Sequence, residues 1–273
     1  LEAGTPVSYR AGDQPNNAFS LNVLDPGEVA ATGGTSGVVY GVTDVPRPDR
    51  FSRVNTFLHV NHEPRRPRYG VLLCINGTGI LNAWVKKTTV PDMSYPEVNR
   101  RCAEIPVGSE GVLMLPFGNG AERMLGNRYT GAEAIGLDLN RHDRFHLLRA
   151  AQEGIAFAFR YGMDVMRETG LRLRVIRAGY ANLFLSPVFR QTLATLCGAD
   201  IELYNTDGAL GAARGAALGA GLYASREETF ASLRKIDEVR PDPADRDVLE
   251  RGYARWKAEL ENRLGRASHG TSV

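Results

Sequence analysis

Long apolar runs are missing from this sequence. None approaches the ~20 residues that a membrane-spanning helix needs, which excludes such a span. Cysteine is scarce: the three present, Cys74, Cys102 and Cys197, are odd in number, far apart and form no C-x-x-C pair. A disulfide framework is therefore excluded, a zinc site has no support, and a reducing cytoplasm is the expected setting. No one sign of charge predominates. Lys and Arg total 33 against 31 Asp and Glu, a net charge of +2, so neither nucleic acid nor a membrane surface is indicated as a partner. The pattern G-x-x-x-x-G-K-[ST] does not occur, which excludes a P-loop. H-R-D and D-F-G motifs are missing too, which excludes a protein kinase. There is no internal repeat and no low-complexity linker, and no secretory leader is expected. The chain opens on Leu1 and is already inside an element by Val7, so it is expected to be a piece of something longer.

What is present is ordinary globular protein: 273 residues, 43% hydrophobic and 23% charged, enough for one large domain or two modest ones. Short apolar runs bounded by Gly, Pro or charge predict strands at GVVYGV (37–42), TFLHVNH (56–62), YGVLLCI (69–75) and GVLMLPF (111–117). The three- and four-residue recurrence of Leu148, Ala151, Ile155, Phe159 and Met163 predicts a long helix over 145–170, ended by Gly170. A strand over 171–179 stops at a glycine, and SPVFRQTLATLCG (186–198) is a helix with Ser186 as N-cap and Pro187 at its first position. IELYN (201–205) is a further strand, 208–225 a small-residue helix and about 244–264 a final amphipathic helix. The closing GRASHGTSV reads as a tail. Early strands followed by repeated strand–helix units indicate an α/β layer structure.

Four stretches could carry chemistry. In YRAGDQPNNAFS (9–20), Gly12 allows a close backbone approach, Asp13 offers a carboxylate that can take a proton and Gln14 an amide that can hold a hydroxyl. Pro15 suits a first helical turn, so the competing reading makes Asp13 a helix cap and nothing more. In ATGGTSGVVYG (31–41), Gly33, Gly34 and Gly37 flank Thr35 and Ser36 just before a strand. Such a turn can aim backbone N–H groups and two hydroxyls at a phosphate; it can equally be a plain hairpin turn. In RAGYANLFLSP (177–187) a strand stops at Gly179, where α/β folds commonly bind ligands, unless this is only a β–α connection. The glycines and alanines of 206–221 suit close helix packing, and Arg214 rules out a membrane dimer motif. Other residues offer less. His59 and His62 would point to opposite faces of a strand, His142 and His146 are expected to be exposed, and Trp84 and Trp256 are expected core anchors.

Together these pieces resemble the FGGY family of carbohydrate kinases, most closely its xylulokinases, and the resemblance falls on the C-terminal half of such an enzyme. Gly12-Asp13-Gln14 matches the family's G-D-Q/N element, and Gly34-Thr35-Ser36-Gly37 its G-T-S-G phosphate loop. LPFGNGAERM (115–124) is similar to L-P-Y-x-x-G-E-R, RAAQEGIAFAFRYGMDVM to the family's long helix, RAGYANLFLSPVFRQ to its adenosine segment and DGALGAARGAALGAG to its closing helix. Two departures stand out: Ala178-Gly179-Tyr180 replaces a run of glycines, with extra residues before Ser186, and no N-terminal domain is present.

The resemblance implies the RNase H-like, actin-like ATPase fold, with the chain forming the second domain of a two-domain sugar kinase. Residues 1–28 would be the end of the first, sugar-binding domain, carrying the Asp13 helix; 29–265 would be the nucleotide-binding domain and 266–273 a tail. Asp13 would be the general base and Gln14 would orient sugar hydroxyls. Gly34, Thr35 and Ser36 would cradle ATP phosphates, Gly79 would lie near adenine, and Gly179 with the loop to Asn182 would face the nucleoside. Mg²⁺ would bridge the phosphates, with no side chain assigned as a metal ligand. The implied reaction moves the γ-phosphoryl of ATP to a ketose hydroxyl, D-xylulose above others, with ribulose, fuculose, rhamnulose, gluconate or glycerol as alternatives. A non-catalytic actin-like nucleotide-binding module is the rival from another class. Without its missing N-terminal domain the chain is expected to be inactive, with residues 1–28 mobile or docked on a neighbouring chain, as a homodimer would allow.

Overall fold

A computed structural model describes residues 2–269, with side chains to residue 265. Nine strands occur among the described residues: β1 (Glu28–Gly33), β2 (Gly37–Thr43), β3 (Asn55–Leu58), β4 (Tyr69–Ile75), β5 (Leu113–Phe117), β6 (Gly131–Ile135), β7 (Val175–Gly179), β8 (Asp200–Tyr204) and β9 (Lys235–Val239). The helices are α1 (Asp13–Ser20), α2 (Gly79–Thr89), α3 (Tyr95–Glu104), α4 (Arg144–Glu168), α5 (Pro187–Cys197), α6 (Gly208–Gly219), α7 (Arg226–Thr229) and α8 (Arg246–His269). None is long and apolar enough to cross a membrane.

Seven strands form one sheet in the order β3-β4-β2-β1-β7-β8-β9, and β5 and β6 form a separate pair. β1 is central: it runs antiparallel to β2 and parallel to β7. Alternation along the strands sorts the side chains onto two faces. Val29, Ala31, Val39, Leu73, Ile176 and Leu203 join the large core with α4, α5 and α8, whereas Ala30, Tyr40 and Val42 meet Ala18, Leu21 and Val23 around α1. The long helix α4 is buried along most of its length because the sheet, β5, α5 and α8 all pack on it.

Several expectations need correction. The strand expected over 56–62 ends at Leu58. His59 lies beyond it, buried, with Nδ1 2.8 Å from the Tyr40 hydroxyl and Nε2 3.0 Å from the Val23 carbonyl; burial pushes its pKa down to about 4. The strands expected over 111–117 and 171–179 begin at Leu113 and Val175, and α6 ends at Gly219, after which Ser225 caps α7. Helix α8 continues to His269, so 266–269 are helical rather than tail, and 270–273 lie outside the described residues. Trp256 is a core anchor whose Nε1 donates to the Met114 carbonyl, but Trp84 is 61% exposed because it sits on the outer side of α2. His146 is buried, not exposed: the capping box of α4 draws its Nδ1 to the Asp143 backbone N–H, while Asp143 Oδ1 accepts from Phe145 N.

Residues 8–20 pack against α6 of the same chain. α1 lies against α6, whose Gly208, Gly211, Gly215 and Gly219 face Asn17, Asn16, Tyr9 and Ser8.

Candidate functional site

β1 and β2 are joined by the turn Gly34-Thr35-Ser36, closed by the Gly33–Gly37 pair. The turn's carbonyls are occupied: Gly34 O accepts from Gly79 N at 3.0 Å and Thr35 O from Ile80 N at 3.1 Å. The turn therefore sits on the first residues of α2, at the positive end of that helix. Its own N–H groups at Gly34, Thr35 and Ser36, and the hydroxyls of Thr35 and Ser36, have no partner among the described residues. Unmatched donors gathered at one turn are what an anion such as phosphate needs. Close approach is built in: a Cβ on Gly79 would lie 2.3 Å from Gly34 O, and one on Gly37 2.6 Å from the Phe159 ring and from Thr78 Oγ1.

A cavity of about 540 Å³ opens beside the turn, lined by Gly33 to Thr35, by Gly79, Ile80, Asn82 and Ala83 of α2, by Tyr95 and Asn99 of α3, and by Asn182, Leu183, Leu185 and Ser186. This volume is in the range of small-molecule sites. Asn182 adopts a left-handed φ of 52° at the head of the segment that lines one wall. Four expected residues, Gly34, Thr35, Gly79 and Asn182, thus share one cavity. Ser36 belongs to the turn without lining the cavity, and Gly179 lies at the end of β7 with the Thr206 carbonyl 2.9 Å from where a Cβ would be.

Asp13 and Gln14 lie outside that cavity, at the start of α1. Gly12, not Asp13, occupies the cap position, and no side chain caps the helix. Asp13 is exposed; Oδ1 accepts from Gln14 N at 2.9 Å and Oδ2 from Gln14 Nε2 at 3.2 Å. Gln14 Oε1 is buried with no partner among the described residues. Burial raises the pKa of the Cys74 thiol, and the nearby charge of Asp13 adds to it. Cys74 lies on β4 and pairs with Val38 of β2, so Asp13 lies near that part of the sheet.

Glu122 was not singled out from the sequence, yet it holds the approach to α2. It is fully buried; Oε2 accepts from Asn76 N and Oε1 from Gly77 N, each at 3.0 Å. Burial raises its pKa while these two N–H groups oppose the shift. The clamped residues lead directly into Thr78 and Gly79. Glu122→Gln sets an amide NH₂ against one of the two N–H groups and is expected to cost about 1–3 kcal/mol. Urea unfolding checks this, and an unchanged midpoint would show that Glu122 does not hold the turn. Asn82, Tyr95 and Asn99 were likewise missed, since α2 and α3 carry no motif that marks them.

Comparison with known proteins agrees with this geometry. The model of the FGGY family of carbohydrate kinases, C-terminal domain, matches residues 29–224. A xylulose kinase of Haemophilus influenzae is 27% identical over 264 residues, covering 93% of this chain and 50% of that protein. An L-xylulose/3-keto-L-gulonate kinase of Escherichia coli is 28% identical, covering 94% and 50%. The crystal structure of xylulose kinase from Rhodospirillum rubrum superposes with a TM-score of 0.82 at 26% identity, covering 95% of this chain and 51% of that one. The chain spans about half the length of the curated relatives it matches. Its fold is the actin-like ATPase fold of these kinases, and residues 29–224 correspond to the family's C-terminal domain. The chain belongs to the FGGY family of carbohydrate kinases.

Proposed function

We propose that this chain is the nucleotide-binding half of an ATP-dependent kinase that transfers the γ-phosphoryl of ATP to a ketose hydroxyl, converting D-xylulose to D-xylulose 5-phosphate. The observation that carries the reading is the Gly34–Ser36 turn, whose unpartnered N–H groups border a cavity of about 540 Å³. The choice of xylulose rests on the relatives' names; another family substrate, such as ribulose, gluconate or glycerol, is the alternative. The exposed Asp13 beside Gln14 favours a kinase over a non-catalytic module, which needs no acceptor base. In this reading residues 1–28 close the first domain, 29–265 form the second, and the partners are ATP, the sugar and a first domain.

The residues fit the nucleotide: the amides and hydroxyls of 34–36 suit phosphate oxygens, and the cavity suits the nucleoside, with Gly79 and Asn182 in its lining and Gly179 ending β7 three residues before Asn182. Mg²⁺ characteristically binds through substrate phosphates with few protein ligands, and when bound it neutralises charge on the transferring phosphoryl. The chain's own residues do the rest. The 34–36 turn fixes the phosphates, Gln14 orients the acceptor, and Asp13 accepts the hydroxyl proton as the nucleophile attacks.

Thr35→Val removes a hydroxyl at nearly constant volume and is expected to weaken ATP by roughly 10- to 100-fold, the worth of a hydrogen bond to a charged group. Gly34→Val blocks approach to the turn. A Cβ there meets nothing nearer than the Ser36 carbonyl at 3.6 Å, so lost binding reports on the ligand and not on folding. Calorimetry decides, and unchanged ATP affinity in both variants would overturn the assignment.

A further inference from the structure

The far wall of the cavity holds a polar relay that phosphate binding does not use. Gln152 of α4 is fully buried beneath it. Its Nε2 donates to Asn99 Oδ1 at 3.2 Å and, less closely, to Asn82 Oδ1 at 3.5 Å. Its Oε1 accepts from the Ser186 hydroxyl at 2.6 Å, and Ser186 Oγ in turn accepts from Phe189 N at 3.3 Å. Three helices and the start of a fourth thus converge on one amide.

The proton inventory fixes which way each amide points. If Gln152 were reversed, its NH₂ would face Ser186, and the Ser186 hydroxyl hydrogen would lose its protein acceptor among the described residues. The Ser186 proton therefore sets Gln152, and the two Gln152 protons set both asparagines with Oδ1 inward. The Nδ2 groups of Asn82 and Asn99 are left with no protein partner among the described residues, in side chains that line the cavity. Alongside Tyr95, the cavity offers amide donors and no carboxylate.

We propose that Asn99, assisted by Asn82, selects the base of the bound nucleotide by donating to ring-nitrogen acceptors of a purine, with Gln152 and Ser186 as the positioning residues. The inference rests on the nucleotide reading of this cavity and adds to it which base atoms are read, and by what. The donors suit N1, N3 or N7 of a purine, each an unprotonated acceptor in adenine. A ring carbon at the contacted position leaves an amide N–H unmatched.

Calorimetry on the full 273-residue chain, with ATP and its 1-deaza, 3-deaza and 7-deaza analogues, tests this. At least one analogue is expected to bind roughly 3- to 30-fold more weakly than ATP, the range for one neutral hydrogen bond and an unmatched donor. Asn99→Ala should weaken ATP by a similar factor and abolish the penalty for that analogue. Gln152→Met, close in shape and apolar, should shrink the penalty while leaving inorganic tripolyphosphate affinity unchanged, which a merely structural lesion would not do. If every analogue binds like ATP, or the penalty survives undiminished in both Asn82→Ala and Asn99→Ala, the base assignment is wrong while nucleotide binding stands. If neither ATP nor tripolyphosphate binds, the nucleotide reading itself falls and this inference with it.

Discussion

Gly211→Val is expected to detach the Asp13 helix from the rest of the chain. A Cβ at Gly211 would lie 2.0 Å from the Asn16 carbonyl and 2.9 Å from Ser20 Cβ. The first of these neighbours is the backbone of α1, which cannot rotate aside as a side chain can. Further along α6, a Cβ at Gly215 would meet the Tyr9 ring at 2.7 Å, and one at Gly219 the Ser8 carbonyl at 2.2 Å, so the segment leading into α1 is packed on α6 as closely as α1 itself. Overpacking of this kind costs about 1–3 kcal/mol or more. Separation would also forfeit burial of Ala18 and Phe19, where a phenylalanine side chain alone is worth about 1.5–3 kcal/mol. It would strip Arg214 of a partner as well. That buried guanidinium has no carboxylate beside it among the described residues; it donates to Ser20 O at 3.1 Å, Thr206 Oγ1 at 3.0 Å and Ser232 Oγ at 3.1 Å. A helix as short as α1 does not persist alone. Amide exchange over residues 13–21 should therefore speed up by about 100-fold or more in Gly211→Val, while α4 keeps its protection. Equal protection of α1 in variant and wild type would show that α6 does not hold it.

The same contact explains where sequence reasoning stopped. Ser186-Pro187 spells out the start of α5, and the apolar run 69–75 coincides with β4, because both are written in neighbouring residues. β1 was missed: EVAATG is small and ends in glycine, and only its place between β2 and β7 makes it the central strand. α2 and α3 were also unread, and with them the cavity wall they form. The Gly34–Ser36 turn was legible since its glycines and hydroxyls are consecutive. The Asn82–Gln152–Asn99 relay was not, since its members come from three helices and amides carry no spacing signal. Trp84 misled because size argues for burial, whereas α2 turns that position outward. The glycines of α6 announced close packing without naming the occupant; the occupant is the segment that carries Asp13.

Asp13→Asn, in a protein that pairs this chain with a sugar-binding first domain, is expected to lower kcat by roughly 10²–10⁴, the usual worth of a positioned base. The structure makes the test clean. Asp13 is exposed and forms no ion pair among the described residues, and the cap position of α1 belongs to Gly12. The asparagine side chain keeps an oxygen that can accept from Gln14 N, the 2.9 Å bond now made by Oδ1. The lost charge at the first turn should cost the helix only about 0.3–1 kcal/mol. The cavity lies apart from Asp13, so ATP affinity should hold within about twofold, since no hydrogen bond to the nucleotide is removed. A large fall in kcat with stability and ATP affinity both near wild type is what a proton acceptor predicts. It is not what a helix-end charge predicts, because that role would appear first in the melting temperature. The assay is ADP release coupled to D-xylulose. The isolated chain serves as the control: having no first domain to set the acceptor against Asp13, it should show no sugar-dependent turnover, because positioning supplies most of the rate in phosphoryl transfer. Near-wild-type turnover by Asp13→Asn would reduce Asp13 to a helix-end charge, and turnover by the isolated chain equal to the paired protein would show that the acceptor site lies within these 273 residues.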